Sequence, residues 1–478
     1  MVMFSNQVRE RSIGLSGLCV NAVLAAFCVG SLGASPAESL RVSENGRYLE
    51  TARGEPFLYL GDTAWELFHR LKREEADMYL QNRAQKGFTV IQAVILGQLG
   101  GLDEPNPYGQ LPLIDRDPTR PNEAYFEHVD WIVKRAAELG LYVGMLPTWG
   151  SYWKQVGDNT EPIFNEENAR AYGEFLGRRY RDAPLIWILG GDENIESPGE
   201  RRVIDAMAEG LREGDGGAHL ITYHPRGPGR STDFLLDAPW LDFHMIQSSH
   251  GAHDHDNGLF VEAHRRSAPG KPTLDGEPRY ETLAVGFYWV DADRLDRFDD
   301  YDVRQAAYWA MLAGACGHTY GHGSLWQMWA PERPPVLFVK IPWYEALDHP
   351  GAWQMSALRG LFEARPFWKL VPRQEMILDG PNRGGGKIRA AVAEDGSFAV
   401  VYSPRGEPFT IDKGVVQGRV LCERWYDPRY GVTYLAHCGN TPSIQTYTPP
   451  TSGRGQDWIL ILDAADNGLP EPRPWRSR

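Results

Sequence analysis

Two short stretches place carboxylates where chemistry could use them. In "WILGGDENIE" (187–196) an apolar, strand-like run stops at two glycines, and Asp192, Glu193 and Asn194 follow. In "PTLDGEPRYE" (272–281) a second apolar run stops at Asp275, Gly276 and Glu277. Two carboxyl groups facing each other across a cleft are what glycoside hydrolysis needs: one protonates the departing oxygen while the other attacks carbon or activates water. One strand-end carboxylate alone says little, because Asp and Glu also cap the next helix. A pair on separate strands says more. Asp192 and Glu193 point to opposite sides if the strand runs on through them, and the glycines leave open which one faces the cleft.

Other apolar runs end in residues suited to a sugar. Trp65 and Trp149 can stack on a sugar face or fill core. Asp62 in "GDTAW" can bond sugar hydroxyls or cap the turn, and Glu193 stands beside Asp192 as a further polar contact or a rival acid. His224, His250 and His318 suit hydrogen bonds to hydroxyls or the orientation of carboxylates, and Gln247 and Tyr320 are candidate wall residues. No lysine among these strand ends suggests a Schiff base. The loop "SHGAHDHDNG" gathers His250, His253, Asp254, His255 and Asp256, but its spacing matches neither a helical His pair nor a familiar hydrolase metal pattern. We expect no metal and no other cofactor.

The elements that must carry these groups can be read from periodicity. Eight strand-like segments, 57–62, 88–96, 141–149, 185–192, 219–225, 241–249, 272–277 and 317–323, alternate with helical patterns at 74–87, 122–139, 166–182, 199–213, 255–267 and 302–315. Asn122 is placed to cap the second of these helices, and the fifth connection holds at most a short helix. Continuous apolar strands separated by helices imply a parallel sheet buried on both faces, and eight units imply an α/β fold of the (β/α)8 barrel type. Such a barrel puts its active site where the strands end. No glycine-rich phosphate loop comes after the first strand to favour a nucleotide-binding sheet. After about residue 375 the pattern turns to short alternating strands between Gly, Pro and Asp turns, the mark of an antiparallel sandwich over roughly 376–467, with a polar tail at 468–478.

At 478 residues and 42% hydrophobic, the chain can bury a large core as two domains. A formal net charge of -14 argues against nucleic acid or anionic lipid as partner, because both need a basic face. The load of 16 Trp and 21 Tyr is what a sugar-stacking cleft would draw on. Arg9 and Arg11, an almost uncharged run from Ile13 to Ala34, and "GASPAES" read as a secretory signal over 1–37, with an exported mature protein and no membrane association after cleavage. The oligomeric state is not legible. Without that segment three cysteines remain, so this is not a disulfide scaffold; Cys422 and Cys438 are close enough in sequence to be bridged or to stay as buried thiols.

Taken together, "ENGRYLETARGEPFLYLGDTAWELFHRL", "LIWILGGDEN", "MIQSSHG" and "LDGEPRYE" resemble the apiosidase-like enzymes of glycoside hydrolase family 140. The resemblance runs from about residue 41 to the end, because "CERWYDPRYGVTY" and "DWILILD" resemble the small sandwich, long labelled collagen-binding, that succeeds the barrel in that family. It implies Asp192 as acid/base and Glu277 as nucleophile of a retaining, exo-acting hydrolase. Its substrate would be a plant cell-wall oligosaccharide or polysaccharide, from whose pectic side chains it would release terminal furanose sugars such as apiose. An Asp acid departs from the Asn-Glu pair usual in related retaining barrels. Two other readings stay open: an arabinofuranosidase or galactofuranosidase with the same machinery, and a non-catalytic secreted binder of polysaccharide or matrix.

Overall fold

In the computed structural model the described residues are 38–476 apart from 158–160, 289–295 and 441. The expected signal segment, 1–37, lies outside them. All eight expected barrel strands are present: β1 (Tyr59–Thr63), β2 (Val90–Leu96), β3 (Tyr142–Thr148), β4 (Leu185–Leu189), β5 (Ile221–Tyr223), β6 (His244–Gln247), β7 (Thr273–Asp275) and β8 (Gly317–Tyr320). They pair in parallel in the order β5-β4-β3-β2-β1-β8-β7-β6, with the short segment Gly229–Arg230 antiparallel on the free edge of β6. The ring closes between β5 and β6 through single bonds, Asp242 N to Ile221 O at 2.9 Å and Thr222 Oγ1 to Phe243 O at 2.7 Å.

Period-two alternation sorts the strand residues into two layers. Tyr59, Val90, Val94, Leu146, Ile186, Ile188, Met245 and Leu274 fill the barrel interior. Leu60, Ile91, Val143, Leu185, Trp187, Ile221 and Tyr320 pack outward against the helices. Those helices begin and end where local chemistry dictates. Asn122 caps Glu123–Glu138 by accepting the Ala124 N–H; Ser197 caps Pro198–Asp215, which stops at Gly216 in the left-handed region (φ 70°). The two helices flanking β4, Glu166–Tyr180 and Pro198–Asp215, approach so closely that a Cβ on Gly173, Gly177, Gly210 or Gly214 would collide with the opposite backbone. These two closely packed helices lie before and after β4 in the chain. The fifth connection carries only the single turn Ser231–Asp233.

Beyond the barrel, six strands form an antiparallel sheet facing a second sheet of three, with Ile388, Val401, Phe409, Trp425 and Leu460 among the core. The sheet begins with Leu370–Pro372, a few residues before the boundary expected from composition. Cys422 and Cys438 stand directly opposite on neighbouring strands and are bridged. This domain is bolted to the barrel helices by buried bidentate pairs, Arg304 to Asp457 (2.7 and 2.8 Å) and Arg365 to Asp463 (2.5 and 2.6 Å). Pairs with this geometry add directional specificity to the charge attraction. Among the described residues no helix is long and apolar enough to cross a membrane.

Candidate active site

The backbone leaves β4 through an abrupt turn. Gly190 and Gly191 take φ of 95° and 69°, and Asp192 itself sits at 64°, a region that L-residues occupy only under constraint. A Cβ on Gly190 would strike the carbonyl of His224, and one on Gly191 the backbone of 148–150, so the close approach requires glycine at both. The turn breaks strand alternation and decides between the neighbouring carboxylates. Asp192 faces the barrel mouth. Glu193 turns away, its carboxylate 3.2 Å from Arg226 and 3.5 Å from Lys154, and Tyr223 donates to its carbonyl at 2.5 Å.

Across the mouth, Glu277 lies just past β7. His250 Nε2 lies 3.2 Å from its Oε1, and His224 Nε2 lies 2.8 Å from its Oε2, off the line of an ideal hydrogen bond. His224 Nδ1 accepts the Asp192 N–H at 3.1 Å, so the imidazole proton sits on Nε2, toward Glu277. One imidazole thus touches both acidic residues. Oxygens of Asp192 and Glu277 and a nitrogen of His224 all lie within 4.8 Å of one another.

Electrostatics set the two carboxyls apart. Burial, then the charges of Glu277 and Glu193, raise Asp192 well above the ordinary carboxylate range, against a smaller lowering by the Gln247 side chain. Burial also works to raise Glu277, but the close contacts with the His224 and His250 imidazoles outweigh it and bring it down to about 2. Of the two, Asp192 is thus the carboxyl that favours the proton and Glu277 the one that favours the charge, the division of labour that an acid and a nucleophile require.

The two carboxyls open into a cavity of about 230 Å³ lined by Trp65, Trp149, His250, Tyr280, Trp326 and the apolar side chains of Leu283, Phe287, Val336 and Leu337. The structure brings Asp192, Glu277, Trp65, Trp149, His250, His224 and Gln247, seven of the candidates, into one neighbourhood. Four candidates belong elsewhere, which corrects the expectation for each. Glu193 is paired as described. Asp62 is buried on the outer face of β1, 2.8 Å from Arg83 Nε and accepting from Tyr79 at 2.6 Å. Tyr320 faces outward from β8 and donates to Glu281 at 2.6 Å. His318 shares that outward side, fully buried, with neither ring nitrogen hydrogen-bonded among the described residues and burial pushing it down to about 3.

Missed by sequence reasoning were Tyr280, whose hydroxyl faces Glu277 and Thr63, and the wall from Leu283, Phe287, Trp326, Val336 and Leu337. Tyr280 had a signal, standing three residues after Glu277 in "DGEPRYE". The wall lies on irregular loops after β7 and β8 with no period to read. The histidine-rich loop uses its acids in ion pairs, Asp254 with Arg405 and Asp256 with Arg389 and Lys387.

Comparison with known proteins agrees with this geometry. Residues 43–369 match the family "Apiosidase-like, catalytic domain", and residues 371–463 match "Putative collagen-binding domain of a collagenase". A solved structure titled "Glycoside hydrolase" is 33% identical over 91% of this chain and 98% of its own, with a TM-score of 0.82. A glycoside hydrolase family 5 structure from Bacteroides vulgatus is 32% identical over 92% and 96%, with a TM-score of 0.83. No curated protein sequence matches. With two carboxyls of opposed electrostatics in a tryptophan-lined cavity, and with a catalytic-domain match over most of its length, the chain belongs to the apiosidase-like family of glycoside hydrolases.

Proposed function

We propose that the protein is an exported, exo-acting, retaining furanosidase of the family 140 type that releases apiose from plant pectic side chains. The observation that carries the stereochemistry is the approach of Asp192 and Glu277 oxygens to within 4.8 Å. Retaining glycosidases hold their carboxyls about 5–5.5 Å apart, whereas inverting ones leave about 6.5–9.5 Å for a water. In the first step Glu277 attacks the anomeric carbon, the glycosidic C–O bond breaks, and Asp192 gives its proton to the leaving oxygen. In the second, Asp192 takes a proton from water, whose oxygen displaces Glu277 and frees the sugar. A cavity of about 230 Å³ is smaller than the roughly 300–1,000 Å³ of drug-sized sites and suits a single terminal sugar, which supports exo action.

The test is incubation with pectic side-chain oligosaccharides, identifying the released monosaccharide and tracking its anomeric configuration by NMR. Apiose with retained configuration is expected. A first-formed product of inverted configuration overturns the retaining route, and release of arabinose or galactose from a panel of aryl furanosides reassigns the sugar. Export rests on residues 1–37 and is checked by N-terminal sequencing of protein recovered outside the cytoplasm, which should begin near residue 38.

A further inference from the structure

His250 reaches Glu277 from the 248–257 loop, and that loop has little structure of its own to hold it. Its two ends are tied to one carboxylate, Asp275 of β7: Ser248 Oγ donates at 2.9 Å and Asn257 Nδ2 at 2.8 Å. Backbone bonds from Ser249 N to Glu277 O (3.1 Å) and from Gly286 N to His250 O (2.7 Å) dock the active-site end. The middle is held from outside the barrel. Asp254 pairs with Arg405 at 2.7 Å, and Asp256 with Arg389 at 2.7 Å and Lys387 at 2.8 Å, all three cations from the C-terminal domain. His253 contacts Asp302 at 3.0 Å, and Asp302 in turn takes Arg454 of that domain at 2.9 Å. Arg279, two residues after Glu277, donates to the His253 carbonyl and to Gln305, whose amide donates to the Gly385 carbonyl at 3.0 Å. There is no slack here: a Cβ on Gly385 would collide with Asp254 and Arg405, and one on Gly258 with the Arg389 guanidinium.

We propose that the C-terminal domain is a clamp on the active site: through Lys387, Arg389 and Arg405 it fixes the 248–257 loop and thereby holds His250, a positioning residue, against Glu277. The clamp rests on reading Glu277 as the nucleophile. The groups facing Glu277 are Asp192 from β4, His224 from β5, His250 from this loop and Tyr280 after β7. Of these, His250 sits on the loop that the second domain grips directly. The domain then completes the catalytic apparatus without itself touching substrate.

Gly385→Ala wedges the contact, Arg405→Ala removes one pair, and Arg389→Met removes the buried pair; if Arg389→Met does not fold, the other two carry the test. Two readouts are taken on the full chain: deuterium uptake of peptides spanning 248–257, and the pH dependence of kcat/KM. Uptake in the loop should quicken about threefold or more while barrel-strand peptides stay protected. The acidic limb should rise by about one pH unit as one hydrogen bond to the ionised carboxyl is lost, with kcat falling more than KM changes. Arg405→Lys should restore both. Unchanged loop uptake in the folded variants overturns the clamp, and so does an acidic limb that stays in place while the loop loosens. A fully active Glu277→Gln enzyme would instead refute the nucleophile reading, and the uptake measurement would still judge the clamp.

Discussion

Asp62 and Asp192 both stand at the C-terminal end of a barrel strand among aromatic side chains, and burial raises both carboxyls. Asp62 has a guanidinium 2.8 Å away and a tyrosine hydroxyl at 2.6 Å; Asp192 has instead a second carboxylate within 4.8 Å and an open cavity in front of it. One is charge-compensated and enclosed. The other is left without a cation in contact, the arrangement expected of an acid that, on the proposed function, holds and releases a proton. Residue type and strand-end position are shared, so what separates a structural acid from a reactive one is the partner it has been given.

The comparison breaks first at its strongest point. Glu277→Gln and Asp192→Asn should each lower kcat/KM by about 10³-fold or more on a natural leaving group, as loss of a nucleophile or general acid does. Melting temperature should hold in Asp192→Asn, where an amide replaces a carboxyl that favours its proton, and fall modestly in Glu277→Gln, which gives up the contacts with His224 and His250 that favour the ionised carboxyl. Asp62→Asn should do the reverse. It strands Arg83 as a buried charge, a cost of about 3–5 kcal/mol read by urea unfolding, with kcat within about threefold of wild type. Loss of activity in Asp62→Asn without loss of stability would erase the distinction.

The eight strands and most helices were legible because their signals are local: apolar runs of strand length, the Asn122 cap, the sparse fifth connection. Which rim residue faces inward was less legible. On β1 and β8 the inward set is Tyr59, Gly61 and Thr319, so simple alternation from Tyr59 would have turned Asp62 away from the mouth. After β4 alternation fails outright, because Gly190, Gly191 and Asp192 all have positive φ. The apolar wall from Leu283 to Leu337 could not be foreseen, since loops carry no period. Nor could the clamp, whose Arg389 and Arg405 read in sequence as ordinary charged residues between strands.

A smaller effect probes the enclosed side again. Glu281 accepts from Tyr320 at 2.6 Å on the outer face, and burial outweighs that bond to raise its carboxyl from 4.5 to about 7. A raised acid binds its proton more tightly in the folded state, so its contribution is complete below pH 4.5 and is lost as pH rises through 7. The shift corresponds to about 3 kcal/mol. Wild-type stability should fall by that order between about pH 5 and 8 relative to Glu281→Gln, which should be nearly flat over the same range. Parallel pH curves for the two proteins would mean that Glu281 is compensated after all.

The finest test lies between neighbours. Glu193 adjoins Asp192 in sequence but pairs with Arg226 and Lys154, and its charge helps to raise Asp192. Glu193→Gln should leave kcat/KM within about threefold, because no reacting atom is lost and an exposed partner such as Arg226 re-solvates for under about 1 kcal/mol. Lys154 keeps Glu196 at 2.9 Å. The alkaline limb of the pH profile should move slightly toward lower pH, since Asp192 gives up its proton more readily with one negative charge fewer beside it. A thousandfold loss would make Glu193 the acid. It would also mean that the turn at Gly190 and Gly191 presents the other carboxylate when substrate is bound. A small loss with the shifted limb fixes the proton on Asp192.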